Sequence, residues 1–139
     1  MERTISKFER QLCSVQGRMF ELSAKRHYES KSFVEDFMNS RAAAYFDLPY
    51  DRTQWLGEEN LLQDLIDENP SLKNGETYSN EALFWMGYLY RYWHFLTGES
   101  SREIFSQCNG EEMNGIYPAY HTLDCIMAIE RIKEAKKAK

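Results

Sequence analysis

Apolar residues recur along this chain at helical spacing, and no alternating run exceeds a few residues. Ile5, Phe8, Leu12, Val15, Met19 and Leu22 follow steps of three and four, a heptad seam that predicts a helix over about residues 4–28. Gly17 interrupts the seam and should cost about 1 kcal/mol relative to Ala. Such a seam suits packing within a bundle, and it also leaves open a homodimer through this first helix. Ser32 and Glu35 read as a capping box opening a second helix through about Tyr45, with Phe33, Val34, Phe37, Met38 and Ala42 inward. Pro49 ends it, because proline disfavours helix at Leu48 and lacks a donor. Asp51 can then cap a third helix to about Glu68, carrying Trp55, Leu61, Leu62, Leu65 and Ile66. Pro70, Asn74, Gly75 and Ser79 mark residues 70–79 as the longest loop.

The segment over about 80–97 is apolar on every face. Phe84, Trp85, Tyr88, Tyr90, Tyr92, Trp93 and Phe95 give it seven aromatic rings, and Gly98 closes it as a C-terminal cap. Such a helix belongs at the centre of a bundle with neighbours all round. Ser100 and Glu103 form a second capping box, for a short helix over about 101–108. Residues 111–117 read as another short turn, broken at Pro118. Asp124 or Thr122 caps a last helix with Ile126, Ile129 and Ile132 inward and a basic end from Lys133 to Lys139. The expectation is an all-α fold: one domain over residues 1–139, with five main helices and one or two short ones around the aromatic helix.

Composition narrows the class. At 139 residues a single domain buries roughly 68–70% of its unfolded surface and needs no staples. With 14% aromatic residues the chain is not disordered, and three cysteines make no disulfide scaffold. Cys13, Cys108 and Cys125 form no Cys-x-x-Cys pair, which removes zinc-ribbon and thioredoxin readings. The polar start Met1-Glu2-Arg3-Thr4 lacks a signal-peptide core, and no apolar run is long enough to span a membrane. A reducing cytoplasm is the expected location. The net charge of −5 is uneven: residues 1–31 carry seven bases and four acids, whereas residues 53–81 carry one base and seven acids. The two segments are expected to attract each other, or the acidic one to meet a basic partner. Nonspecific nucleic-acid binding is disfavoured by this balance. Arg102–Ala119 has helix-turn-helix spacing, which leaves a transcriptional regulator as one alternative, but Glu111 and Glu112 would repel phosphate at the head of its reading helix.

Few residues suggest chemistry. Arg91 cannot lose its charge, so on a buried helix it needs a carboxylate, carbonyls or a ligand anion. Glu59 is the first candidate partner and Asp64 the second. With His94 three residues on, an open Arg91 would instead make a small-ligand or nucleotide site. His94 and His121 are single and distant, and no Glu-x-x-His occurs, so neither a metal site nor any other cofactor is expected. No nucleophile elbow, phosphate loop or dinucleotide fingerprint is present, and no catalytic residue is assigned. Tyr88 and Tyr92 stand out among the rings, because tyrosines join a large apolar body to a polar tip and serve as interface anchors.

The stretch Tyr90-Arg91-Tyr92-Trp93-His94-Phe95-Leu96-Thr97-Gly98-Glu99-Ser100-Ser101-Arg102-Glu103-Ile104-Phe105, with Tyr117-Pro118-Ala119-Tyr120-His121-Thr122-Leu123-Asp124, resembles a set of uncharacterised small helical bacterial proteins. The genes of that set often lie in short operons beside an ADP-ribosyltransferase-like toxin. The resemblance runs over most of the chain and implies an antitoxin or accessory role. It supplies no catalytic residues. The expected function is therefore non-enzymatic binding of a protein partner, such as a toxin, through exposed aromatics and the acidic 53–81 region.

Overall fold

A computed structural model describes residues 5–49 and 56–138, and within them the fold is all-helical. Helix α1 runs Lys7–Lys25, α2 Ser30–Met38, α3 Arg41–Asp47, α4 Glu58–Glu68, α5 Asn80–Thr97, α6 Ser101–Gln107, α7 Gly110–Tyr120 and α8 Cys125–Lys137. No helix among the described residues is long and apolar enough to cross a membrane.

Helix α5 is the axis. It starts at Ser79, whose side chain accepts from Ala82 N, and stops at Gly98 with φ +79°, a left-handed cap natural to glycine. Helix α1 lies along it, and most of the α1 seam is used within the chain: Leu12 and Met19 are fully buried and Val15 and Leu22 pack against the core, while Phe8 is exposed. The backbones approach closely where Gly17 meets α5 and Gly87 meets α1. A Cβ on Gly87 would lie 2.7 Å from the Gln16 carbonyl oxygen, and one on Gly17 would lie 2.9 Å from that of Phe84. The glycine that looks like a flaw in the seam is therefore part of the crossing. Around α5 the buried residues form one continuous core, including Phe20, Phe33, Phe37, Tyr90 and Trp93. Phe20 sets its edge against Phe33 and Phe37 at centroid distances of 5.5 and 5.8 Å.

Several boundaries differ from the pattern-based expectations. Helix α1 begins after Ser6, which with Glu9 makes a full capping box. The helix expected over 32–45 is two helices. Ser40 breaks it by donating to Phe37 O (2.6 Å) while accepting from Ala43 N (3.0 Å). The α3 start is then sealed by Glu68 of α4, which accepts from Arg41 N and Ala42 N at 2.8 and 3.0 Å. Ser32 is not a cap but lies inside α2, its hydroxyl bonded to the Glu29 side chain. Tertiary ties fix that helix start instead: Ser30 N donates to Glu76 O, and the Ser30 hydroxyl accepts from Tyr78 N. These bonds, with Gly75 N to His27 O, clasp the 70–79 loop onto the α1–α2 turn. Asp51 and Trp55 lie outside the described residues, and α4 begins after Gly57. Pro118 does not end α7 but sits in its last turn, exposed, where water can satisfy the carbonyl that the missing N–H leaves unpaired. An Asn109–Glu112 capping box starts that helix.

The charge asymmetry is met in part inside the fold. α1 packs on α4, and Arg18 Nε pairs with Glu58 at 3.2 Å.

Gly87→Ala is expected to destabilise the fold by about 1–3 kcal/mol in chemical denaturation, because the new methyl meets backbone rather than a movable side chain. The intrinsic helix gain of Ala over Gly, about 1 kcal/mol, would otherwise predict a more stable protein.

Candidate functional site

Two places in the fold concentrate unusual chemistry, one inside α5 and one outside it. The inner one is Arg91, 1% exposed. Its Nε donates to Gln16 Oε1 (2.8 Å), Nη1 to Asp47 Oδ1 (2.5 Å) and Nη2 to the Ser101 hydroxyl (3.1 Å). Its carbon lies 4.5 Å from the Phe46 ring centroid. Asp47 also accepts from Ser101 N at 2.8 Å and from the Ser101 hydroxyl at 2.7 Å, so one carboxylate joins the end of α3 to the start of α6. The expected partners are thereby corrected. Neither Glu59 nor Asp64 makes any of these bonds: both sit on α4, with Glu59 beside α1 and Asp64 beside α3. Each guanidinium nitrogen has a partner and the side chain is wholly buried, so Arg91 presents no open site to an anion. The small-ligand reading of Arg91 fails on that geometry.

Sequence reasoning missed Gln16, Asp47 and Ser101. Gln16 carries a usable signal, a polar side chain beside the Gly17 break, on the stripe that faces α5. Asp47 stands next to an apolar pair and a proline, where a turn role hides it.

His94 belongs to the same hub. Its Nδ1 faces Glu99 O at 2.6 Å and its Nε2 faces Asp47 O at 3.1 Å. Burial and the Arg91 charge pull this imidazole below its ordinary value of 6.5, against the two carbonyls and the Asp47 carboxylate, which favour the proton. Glu99 itself anchors α8. Burial raises its carboxyl, but bonds from Lys133 (2.7 Å), Trp93 (2.8 Å) and Gln107 (2.6 Å) outweigh that and bring it down to about 2. The basic C-terminal helix is thus pinned through Lys133 rather than only matched to its own dipole.

The outer place is on the solvent side of α5. Contrary to the expectation of neighbours all round, Phe84, Trp85 and Tyr88 are only half-buried. With Glu81 of α5 and Tyr117 and His121 at the end of α7, they line an open groove of about 240 Å³. Trp85 meets Tyr117 edge-on at 5.7 Å, and Tyr117 stacks on His121 at 4.5 Å. Phe84, Tyr88 and Tyr92 form a row at 5.9 and 6.3 Å, with Tyr92 at its buried end. Of the two candidate histidines, His94 therefore lies in the hub and His121 in the groove. They do not come together.

Nucleophilic chemistry has little to work with. Burial pushes the Cys13 thiol up to about 12 and the Cys125 thiol up to about 11, so neither is a thiolate near neutrality. Among the described residues no three His, Cys, Asp or Glu side chains cluster as a metal site would require. Comparison with protein-family models, curated proteins and solved structures gives no match.

Two outcomes are expected of the hub. Asp47→Ala should cost about 3–5 kcal/mol in denaturant unfolding, because it leaves a buried guanidinium without its counter-charge. For His94, the unfolded chain takes up a proton near 6.5 and the folded one only at lower pH. Its contribution is complete above that value and lost as pH falls below it. The melting temperature should decline between about pH 7.5 and pH 5.5, and His94→Gln should flatten that decline.

Proposed function

We propose that this protein is a non-enzymatic binding partner of another protein, an antitoxin-like or accessory component, and that the groove on α5 and α7 is its contact surface. One observation carries the reading: Phe84, Trp85 and Tyr88 of α5 and Tyr117 of α7 stay only half-buried in one contiguous patch, although most of α5 is buried. Aromatic side chains supply large contact area at little entropic cost and are enriched at the energetic centres of interfaces. Rings left partly accessible in one contiguous cluster are more informative than scattered apolar residues. The raised thiol values of Cys13 and Cys125, and an Arg91 that is wholly buried and paired with Asp47, support a binding role over a catalytic one.

Co-expression with the products of the adjacent genes tests this. A partner protein should co-purify with the wild type, and the yield should drop at least about tenfold with Trp85→Ala, consistent with loss of an anchor of about 1.4 kcal/mol or more. A chain that binds none of those products, or a complex indifferent to Trp85, overturns the proposal.

A further inference from the structure

The groove on α5 and α7 has a definite electrostatic character. Its walls are the rings of Phe84, Trp85, Tyr88 and Tyr117, and its polar lining is Glu81 and His121. Glu81 is exposed and makes no ion pair among the described residues. His121 Nδ1 sits 2.8 Å from the Tyr117 carbonyl, which can only accept, so this nitrogen carries the hydrogen. When the ring is neutral, that leaves Nε2 as an acceptor. Among the described residues no Lys or Arg lines the groove, and the nearest cationic influence is the Arg10 charge acting on Tyr88 from α1. Aromatic faces, a carboxylate and an imidazole acceptor are all electron-rich, and each attracts a cationic donor.

From this charge complementarity we propose that the groove receives an arginine side chain of the partner protein. The planar guanidinium would stack on the Trp85 ring while its fork reaches the Glu81 carboxylate. The proposal rests on the partner-binding reading and names what that partner must present. Arginine fits better than lysine, because its weakly hydrated plane stacks on rings and pairs bidentately with carboxylates. The chain's net charge of −5 draws a basic partner towards it from a distance. Glu81 also lies in the first turn of α5, where a carboxylate complements the helix dipole. Stability must therefore be read alongside binding.

The test is an NMR titration of the isotope-labelled full chain with three blocked tripeptides, Gly-Arg-Gly, Gly-citrulline-Gly and Gly-trimethyllysine-Gly. Citrulline keeps the shape of arginine and removes the charge. The arginine peptide should saturably move the Trp85 indole signal, assigned by Trp85→Phe, and the amides around Glu81 and His121. The citrulline peptide should bind about tenfold more weakly. Glu81→Gln should weaken the arginine peptide about threefold to tenfold with the melting temperature nearly unchanged. Equal binding of arginine and citrulline peptides overturns the proposal, as do shifts that fall elsewhere or are absent. Tighter binding of the trimethyllysine peptide also overturns it, in favour of a quaternary-ammonium site. If a co-purified partner is lost with Trp85→Ala but kept by Glu81→Gln and not displaced by the arginine peptide, the arginine assignment fails and the partner reading survives. Arginine-peptide binding at the groove without any partner among the adjacent gene products would leave the site and remove that reading.

Discussion

The close crossing of α1 and α5 is the constraint on which the rest of the structure depends. Gly17 and Gly87 let the two backbones approach until a Cβ on Gly87 would stand 2.7 Å from Gln16 O. At that separation Gln16 reaches α5 with both ends of its amide: Nε2 donates to Gly87 O at 2.9 Å, and Oε1 accepts from Arg91 Nε at 2.8 Å. Packing and polar satisfaction are then a single condition. A larger residue at either glycine would spread the helices and lengthen both amide bonds, leaving a buried guanidinium short of an acceptor.

Arg91 turns that crossing into a tie among distant segments. Through Asp47 it holds the end of α3, and through Ser101 the start of α6. No buried side-chain polar atom among the described residues lacks a partner. A buried ion pair of this kind adds little net stability compared with a well-packed apolar substitute, but it penalises any arrangement that leaves the charge alone. The hub therefore acts on the choice of one helix arrangement more than on the depth of its minimum. His94 extends it, because its ring faces a carbonyl at each end of the same junction.

Much of this fold is legible in the chain itself, and the parts that are not have common causes. The bounds of α5, its Gly98 stop, the Ser100–Glu103 box and the Asp124 cap all follow from local chemistry, and each is found where expected. Some misplaced boundaries were set by non-local bonds, Glu68 reaching back to cap α3 and the 70–79 loop fixing the start of α2, and others by local caps at Ser6, Ser40 and Asn109 that the apolar pattern passes over. The need of Arg91 for a carboxylate was legible, but not which one, because charge composition points to the acidic α4 and only the packing of α3 against α6 brings Asp47 there. The rings of α5 were legible as a cluster. Which of them face outward depends on where α7 ends, and Pro118 misdirects that judgement.

The two faces of α5 are opposite to what burial alone would select. Its inner face encloses a guanidinium, and its outer face leaves Phe84, Trp85 and Tyr88 partly wet. A buried charge costs several kcal/mol unless fully paired, and each exposed ring forgoes roughly 25 cal/mol for every Å² left in water. The inner anomaly has a structural explanation, because Arg91 ties α1, α3 and α6 to α5. The outer one has no comparable role: the Trp85–Tyr117 and Tyr117–His121 contacts shape the groove without covering it. An unexplained cost carried on the surface, beside a Glu81 with no ion pair among the described residues, is a stronger pointer to binding than a paid-for charge in the core.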